Sequence, residues 1–267
     1  MIGFDSPAVE ASVAALRGRA PFSPEIALVL GSGLGDFADG LERQTVVSAA
    51  EIPGYPVSTV EGHKGRLVFG TLGGKKVLAF QGRIHFYESN DIRRVLHPIA
   101  VASALGARVL IVTNAAGGIN RHFAPGDLMI ITDQLDLMLE SLPGNAPGAT
   151  RLPLYDPELV SRAERLATAR GIRIRKGVYA GVKGPSYETA AEVEMVYRLG
   201  GDAVGMSTVK EVQFAALSGM KSLGISCITN KATGIGVEKL DHAEVTEVAN
   251  RVKRDFTGLL ADCISAP

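Results

Sequence analysis

The chain has 267 residues, and its 28 Lys and Arg balance its 28 Asp and Glu. This length can bury the core of one large domain, which we expect over residues 1–267, and the balanced charge leaves no overall basic excess to attract nucleic acid or an anionic membrane surface. The two cysteines have no metal-ligand spacing, the N-terminus has no long apolar region, and no apolar run approaches the ~20 residues of a membrane span, so we expect a reduced, cytoplasmic protein.

Apolar runs of strand length alternate with helix-period patterns along the chain, which is typical of an α/β fold. Helices are predicted at Pro7–Gly18, Ile92–Leu105, Pro157–Ala169, Ala190–Leu199, Thr208–Leu217 and His242–Ile264, the last beginning at a capping box of Asp241 and Glu244. Strands are predicted at Ile26–Leu30, Arg66–Thr71, Lys76–Phe80, Val109–Thr113, Leu128–Thr132, Gly177–Val182, Ala203–Gly205 and Leu223–Thr229. Since these strands are apolar throughout, helices should cover both faces of the sheet.

A glycine-rich segment, Gly31-Ser-Gly-Leu-Gly35, follows the first predicted strand. Its glycines allow a tight turn that brings backbone N–H groups and the Ser32 hydroxyl up to an anion such as phosphate. A dinucleotide-binding turn with Glu51 as the ribose acid is an alternative, but that fingerprint requires glycine where this chain has Asp36. A purely structural turn is a third interpretation.

Three polar side chains, Arg83, His85 and Tyr87, follow the strand Lys76–Phe80 at alternate positions. If the chain stays extended, they point to the same side, where arginine offers a fork of donors matched to phosphate oxygens. A solvated edge strand is the alternative. His63, taken alone, is no more than a loop histidine.

Further candidates are Glu188, next to a helix start, Asn230, at the end of a strand, and His242, in the first turn of the last helix. Open α/β sheets place ligand contacts at the ends of strands. Ordinary roles as a helix-start acid and a turn residue remain open for Glu188 and Asn230. Ser32 lacks a nucleophile-elbow signature and no metal-ligand spacing occurs, so no metal is predicted.

The least regular stretch, Asp136–Pro153, is rich in proline and glycine and has no aromatic residue, which predicts a mobile surface loop. Its composition leaves open whether the loop lies near a site or is an inert excursion.

The motifs taken together resemble the trimeric type of purine nucleoside phosphorylase, from about Ile26 to the C-terminus. They are Gly31-Ser-Gly-Leu-Gly35, Gly62-His63, Arg83-Ile-His-Phe-Tyr87, Asn114-Ala-Ala-Gly-Gly118, Gly181-Val-Lys-Gly-Pro-Ser-Tyr-Glu-Thr189, Gly205-Met-Ser-Thr208 and Thr229-Asn-Lys231. The resemblance implies a single α/β domain with a mixed, distorted central sheet flanked by helices. It also implies a homotrimer that cleaves purine (deoxy)ribonucleosides with inorganic phosphate as co-substrate and no cofactor.

The same resemblance implies a role for each matching residue. Phosphate would be held by Ser32, His63, Arg83, His85, the backbone N–H of Ala115 and Ser207; the ribose by Tyr87, Met206 and His242; and the base by Tyr187, Glu188, Thr229, Asn230 and Lys231. Asn230, Glu188 and His85 would be the catalytic residues. The resemblance lapses across Gln134–Tyr155, which lacks the aromatic residue that closes a neighbouring subunit's ribose pocket in many trimeric members.

Substrate preference depends on Glu188 and Asn230. A carboxylate accepts from the N1–H of inosine or guanosine but opposes the N1 lone pair of adenosine, so 6-oxopurines are expected and adenosine is disfavoured. Methylthioadenosine phosphorylases, which have aspartates where this chain has Asn230, are the alternative enzyme, and xanthosine remains an open substrate. A noncatalytic nucleoside-binding protein and a nicotinamide-dependent oxidoreductase are alternatives from other classes.

Overall fold

The structure, a computed structural model, describes residues 7–60, 62–143, 153–236 and 242–266, without the side chains of residues 242–246 and 249. The helices are α1 (Pro7–Arg17), α2 (Ile92–Leu105), α3 (Pro157–Ala169), α4 (Ala190–Arg198), α5 (Val209–Leu217) and α6 (His242–Ser265). The strands are β1 (Ile26–Leu30), β2 (Glu42–Ser48), β3 (Arg66–Leu72), β4 (Lys75–Gln81), β5 (Val109–Gly118), β6 (Leu128–Asp136), β7 (Ile174–Gly181), β8 (Ala203–Gly205) and β9 (Lys221–Lys231).

Every predicted helix and strand is present, but β2 was not predicted. Its sequence, Glu-Arg-Gln-Thr-Val-Val-Ser, is mostly polar, and the five residues before the first buried one, Val47, are all intermediate or exposed. β2 pairs only with β3, at the edge of the sheet. An edge strand buries little of its surface and therefore carries a weak apolar signal. The predicted capping box of Asp241 and Glu244 lies outside the described residues.

The nine strands form one mixed sheet in the order β2-β3-β4-β1-β5-β8-β7-β6-β9, and β5 also pairs with β9. That extra pairing closes the last five strands into a ring, which is the distortion expected of the central sheet. β1, β4, β5 and β9 run parallel to one another through their pairings, so their carboxyl ends meet at one edge of the sheet. In open α/β sheets this is the edge at which ligands bind.

Helices cover both faces of the sheet, as the apolar strands predicted. Alternate residues of β1 show this directly: Ala27 and Val29 pack in one apolar cluster with α1, α2 and α5, while Leu28 and Leu30 pack in a second with α3 and α6. All five residues of β1 are buried. The two clusters hold the sheet rigidly beneath the loops at its carboxyl edge.

The stretch Asp136–Pro153 begins as packed structure instead of a mobile loop. Asp136 is the last residue of β6, Met138 and Leu142 are buried, and Lys210 of α5 donates to the Asp136 carboxylate and the Glu140 carbonyl. A composition rich in turn residues did not reveal these long-range contacts. Residues 144–152 lie outside the described residues.

Gly31 directly follows β1 and lies against the backbone of β5, where no larger residue fits. A Cβ at this position would be 2.6 Å from the Thr113 carbonyl oxygen and 2.9 Å from the Asn114 Cα, both of them backbone atoms. We expect Gly31→Ala to lower the free energy of unfolding by about 1–3 kcal/mol, because the two strands have to move apart. Urea unfolding measures the effect. Gly35→Ala is the matched control, since a Cβ at Gly35 meets nothing within 4 Å; equal stability of both variants would contradict the prediction.

Candidate active site

A cavity of about 290 Å³ opens at the carboxyl edge of the sheet. It is lined by Ser32, His63, Arg83, His85, Tyr87, Asn114, Ala115, Ala116, Gly117, Pro185, Tyr187, Glu188, Val204, Gly205, Met206, Ser207, Thr229, Asn230 and Ala232. Segments distant in sequence therefore meet at one place, and all but two of the residues predicted from the sequence contribute to its wall.

Arg83 lines the cavity, and protein groups already hold its guanidinium. Its Nε and Nη2 donate to the two carboxylate oxygens of Glu211, at 3.3 and 3.0 Å, and its Nη1 donates to the Thr113 carbonyl at 2.9 Å. Both side chains of the ion pair are about 97% buried. Three of the five N–H groups of a guanidinium are used in this way, which leaves two for an anion in the cavity.

The turn at Ser207 and Thr208 leads from β8 into α5 beside Arg83. Thr208 has a φ of 75°, which is a strained conformation for a β-branched residue. The strain is stabilised by buried contacts: the Asn114 Nδ2 donates to the Thr208 hydroxyl at 2.9 Å, and the Thr208 N–H donates to Glu211 at 3.1 Å. Ser207 is thus presented to the cavity just before a helix N-terminus, where an anion is favoured.

Three aromatic rings, those of His63, His85 and Tyr87, form a stack along the cavity wall. Ring centroids are 5.4 Å apart between the two histidines and 5.0 Å between His85 and Tyr87. The chain is extended at His85 but forms a 3-10 turn at Phe86–Glu88, so alternation along a strand is not what aligns the rings. Burial, together with the neighbouring His85 and Arg83, lowers the pKa of His63 to about 4. His63 is therefore neutral at pH 7. In this form one ring nitrogen donates a hydrogen bond and the other accepts one.

Glu88 fixes the backbone that carries His85. Its carboxylate accepts from the backbone N–H groups of His85 and Thr59, both at 2.6 Å, and lies 3.5 Å from the His85 Nδ1. Although burial by itself would raise the pKa of Glu88, the hydrogen bonds from His85 and Thr59 lower it to about 2. The folded protein consequently stabilises the ionised carboxylate.

A lowered carboxyl pKa contributes stability above the ordinary pKa of 4.5, and this contribution is lost as the pH falls toward about 2. We therefore expect Glu88→Gln to be less stable than the wild type at pH 7, with a difference that shrinks below pH 4.5. Urea unfolding over a pH series measures this. Glu10→Gln, at an exposed position of α1, is the control. A difference between Glu88→Gln and wild type that stays constant with pH would contradict the assignment.

A β-bulge aims Asn230 into the cavity. The register of β5 and β9 shifts between Ala116 and Gly117, which leaves Thr229 as the extra residue before Asn230. The Thr229 hydroxyl donates to the Asn230 Oδ1 at 2.9 Å, and the Asn230 Nδ2 donates to the Lys231 carbonyl at 3.0 Å. Bulges next to active sites re-aim a side chain in this manner. The amide is therefore fixed in orientation before a ligand binds.

Glu188 is not needed to cap α4, which removes its ordinary interpretation. The Thr189 hydroxyl accepts from the Glu192 N–H at 3.3 Å, and the Glu192 carboxylate accepts from the Thr189 N–H at 2.7 Å. These two residues form the capping box. Glu188 instead lines the cavity, where burial raises the pKa of its carboxyl group. A partly buried acid with a raised pKa in a cleft is typical of a functional residue.

Two predicted residues are not part of the described cavity wall. The Lys231 ammonium donates to the Arg121 carbonyl at 3.0 Å and is not among the lining residues. His242 begins α6, but its side chain lies outside the described residues.

Sequence reasoning missed four residues that shape the site: Asn114, Val204, Glu211 and Glu88. Asn114 stood within a motif that was recognised, so its position on β5 was the available signal. The local signal of Glu211 and Glu88 is that of an acid three residues after a helix start, with Thr208 and His85 as the partners; their contacts with Arg83 and Thr59 form only in the folded chain.

Within the described ranges, no group of three or more His, Cys, Asp or Glu side chains could hold a metal ion. In the same part of the chain, no helix combines the length and the apolar character needed to cross a membrane.

Comparisons with known proteins identify the family of this chain. A family model described as the phosphorylase superfamily matches residues 25–265. Purine nucleoside phosphorylase 1 of Bacillus subtilis (strain 168) is 50% identical over 259 residues, which cover 94% of this chain and 96% of that protein. The Geobacillus stearothermophilus protein of the same name is 47% identical over 256 residues, or 93% of each chain. Crystal structures of Schistosoma mansoni purine nucleoside phosphorylase in complex with inosine and with adenosine each match with a TM-score of 0.88 and 34% identity, covering 97% of this chain and 96% of that one.

The fold is thus that of a phosphorylase, a class of enzyme that cleaves a bond with phosphate. Similarity extends over nearly the whole of this chain and of its relatives. Within that superfamily, the chain belongs to the purine nucleoside phosphorylases.

Proposed function

We propose that this purine nucleoside phosphorylase acts on 6-oxopurine (deoxy)ribonucleosides such as inosine and guanosine. Inorganic phosphate attacks C1′ of the sugar, the bond from C1′ to N9 breaks, and its electron pair leaves with the purine. The products are the free base and α-(deoxy)ribose 1-phosphate, with inversion at C1′. No cofactor is required, because phosphate is the second substrate and the base is its own leaving group.

The observation that carries this proposal is that one cavity contains two kinds of recognition group, which we assign to an anion end and a base end. Arg83, Ser207 and the neutral His63 supply donors at the first, while Glu188 and Asn230 stand at the second. A nucleoside and a phosphate can therefore lie in the same cavity in an orientation suited to attack. Holding two reactants in this way replaces a bimolecular encounter with a step inside one complex.

At the anion end, phosphate is held by the side chains of Ser32, His63, Arg83, His85 and Ser207 and by the Ala115 N–H. Cleavage builds positive charge on the sugar, so an anion beneath C1′ stabilises the transition state more than the substrate. Tyr87 and Met206, between the two ends, are assigned to the ribose, and His242 to its 5′-hydroxyl.

At the base end, negative charge collects on the purine as it departs. The Asn230 amide bonds O6 and N7, and Glu188 accepts from the N1–H of a 6-oxopurine, with Tyr187 packing against the ring. Adenosine offers a lone pair at N1, which opposes the lone pairs of a Glu188 carboxylate. A carboxylate paired with an amide therefore favours inosine and guanosine by about tenfold to hundredfold. Thr229 supports the base end through Asn230, and Lys231 beside it reaches the base only if its side chain leaves the Arg121 carbonyl.

The test is release of free base from inosine, guanosine, xanthosine, adenosine and methylthioadenosine, each with and without phosphate. Phosphate-dependent cleavage of inosine and guanosine, with little from adenosine, is the expected result. Preference for adenosine or methylthioadenosine would overturn the specificity. Binding of nucleoside without cleavage would indicate a noncatalytic nucleoside-binding protein.

A homotrimer and a role in purine salvage in the cytoplasm complete the proposal. Leu139 and Leu199 are 81% and 55% exposed, and such large apolar side chains suit a contact between subunits. Cys227 and Cys263 are both unpaired and buried, as in proteins of a reducing compartment. Light scattering after size exclusion measures the number of subunits, and a monomer would contradict the trimer.

A further inference from the structure

Glu211 is a buried carboxylate that lies next to the end of the cavity assigned to phosphate. A negative charge there opposes an anion, unless it serves another purpose. We propose that Glu211 is a positioning residue, which holds Arg83 and the Ser207–Thr208 turn in the geometry that binds phosphate. This inference rests on the proposed function, and it assigns a role to a residue that does not line the cavity.

The first contact is the two-point ion pair with Arg83. Both carboxylate oxygens of Glu211 accept from the guanidinium, at 3.3 and 3.0 Å, which fixes its plane as well as its position. The Thr113 carbonyl holds the third nitrogen at 2.9 Å. A single hydrogen bond would leave the guanidinium free to rotate, whereas this arrangement directs its two remaining N–H groups.

The second contact reaches the turn before α5. The Glu211 Oε2 accepts from the Thr208 N–H at 3.1 Å as well as from the Arg83 Nη2 at 3.0 Å. One oxygen atom therefore joins the arginine that follows β4 to the turn that presents Ser207. Because Thr208 has a φ of 75°, the turn needs such a contact to keep its strained conformation.

Charge explains why the positioning residue is an acid. Arg83 is almost fully buried, and a buried cation without a partner is strongly unfavourable. Glu211 lets the cation remain in place while the cavity holds no phosphate, so the site does not have to reorganise when the anion binds. The net charge of the pair is zero, and phosphate is then recognised by directed donors and by the N-terminus of α5 more than by excess positive charge.

A double-mutant cycle tests the inference. Glu211→Gln keeps the size of the side chain but can no longer accept at both positions from Arg83. We expect this variant to raise the KM for phosphate about tenfold or more and to leave the Kd of inosine, measured by calorimetry without phosphate, within about twofold. In an Arg83→Met background, Glu211→Gln should have almost no further effect on the KM for phosphate, because Arg83 is absent and the oxygen of the new amide can still accept from the Thr208 N–H. A merely structural role would add the same loss in both backgrounds.

Lys210→Met is the matched control. Lys210 neighbours Glu211 in α5 and also forms a buried ion pair, with Asp136, but it does not line the cavity. It should lose stability without a change in the KM for phosphate. An unchanged or lowered KM for phosphate in Glu211→Gln, or an equal rise in Lys210→Met, would overturn the inference. If Glu211→Gln does not fold, Glu211→Asp and its Arg83→Met double variant replace it in the cycle.

A wild-type protein without phosphate-dependent cleavage would overturn the proposed function, which is a separate outcome. In that case the inference is tested by calorimetric binding of inorganic phosphate to the same variants.

Discussion

Replacing Asn230 with alanine is expected to lower kcat for inosine by about 10²- to 10³-fold. The amide is oriented by Thr229 and lines the cavity, and the proposed function assigns it to the part of the purine that gains negative charge as the bond to C1′ breaks. A donor directed at developing charge stabilises the transition state more than the ground state. Steady-state kinetics with varied inosine and varied phosphate measures both substrates. The KM for phosphate should stay nearly constant.

Asn120→Ala is the matched control for this variant. The Asn120 amide also donates a partly buried hydrogen bond, to the Asp202 carboxylate at 2.7 Å, but Asn120 does not line the cavity. Similar losses in both variants would mean that truncating any bonded amide disturbs the fold. If Asn230→Ala weakened phosphate binding as much as it lowered kcat, the assignment of Asn230 to the base would be wrong.

Replacing Glu188 with glutamine is expected to lower kcat/KM for inosine by about tenfold to hundredfold and to narrow the preference for inosine over adenosine. The charged acceptor for N1–H is lost, while the new amide can donate to the N1 of adenosine. The ratio of the two kcat/KM values is the measurement. It separates a change in recognition from a general loss of activity, which would affect both substrates alike.

Glu192→Gln is the control for Glu188→Gln. Glu192 belongs to the same helix start, and its carboxylate closes the capping box with Thr189. Removing its charge should reduce stability slightly and leave the ratio of substrates as in the wild type. A preference for inosine that survives in Glu188→Gln would show that another group reads the purine N1 position.

The elements that the sequence predicted well are those whose signal is local. β1 is apolar at every position and buried at every position, so its pattern and its environment agree. Arg83 and His85 were predicted to point to the same side of an extended chain and, from the family resemblance, to hold phosphate; both line the cavity. The reason first given, alternation along an extended chain, holds only as far as His85.

What the sequence did not predict depends on contacts between distant segments. Glu211 contacts Arg83 across 128 residues of sequence, and Glu88 contacts Thr59 across 29. No periodicity or motif brings these distant residues together, and within its own segment each acid has only the pattern of a helix-start cap. The sequence also did not distinguish a capping role for Glu188 from a binding role. Only the structure shows that Glu192, and not Glu188, caps the N-terminus of α4.

The hydrogen-bonded ladder between β5 and β9 fixes the spacing of two groups that we assign to the two substrates. Ala115 pairs with Cys227 and Gly117 with Asn230, so the backbone N–H assigned to phosphate and the amide assigned to the base stand on neighbouring strands whose spacing is fixed by hydrogen bonds. The β5–β9 ladder therefore sets the distance between the Ala115 N–H and the Asn230 amide, without any movement of a domain.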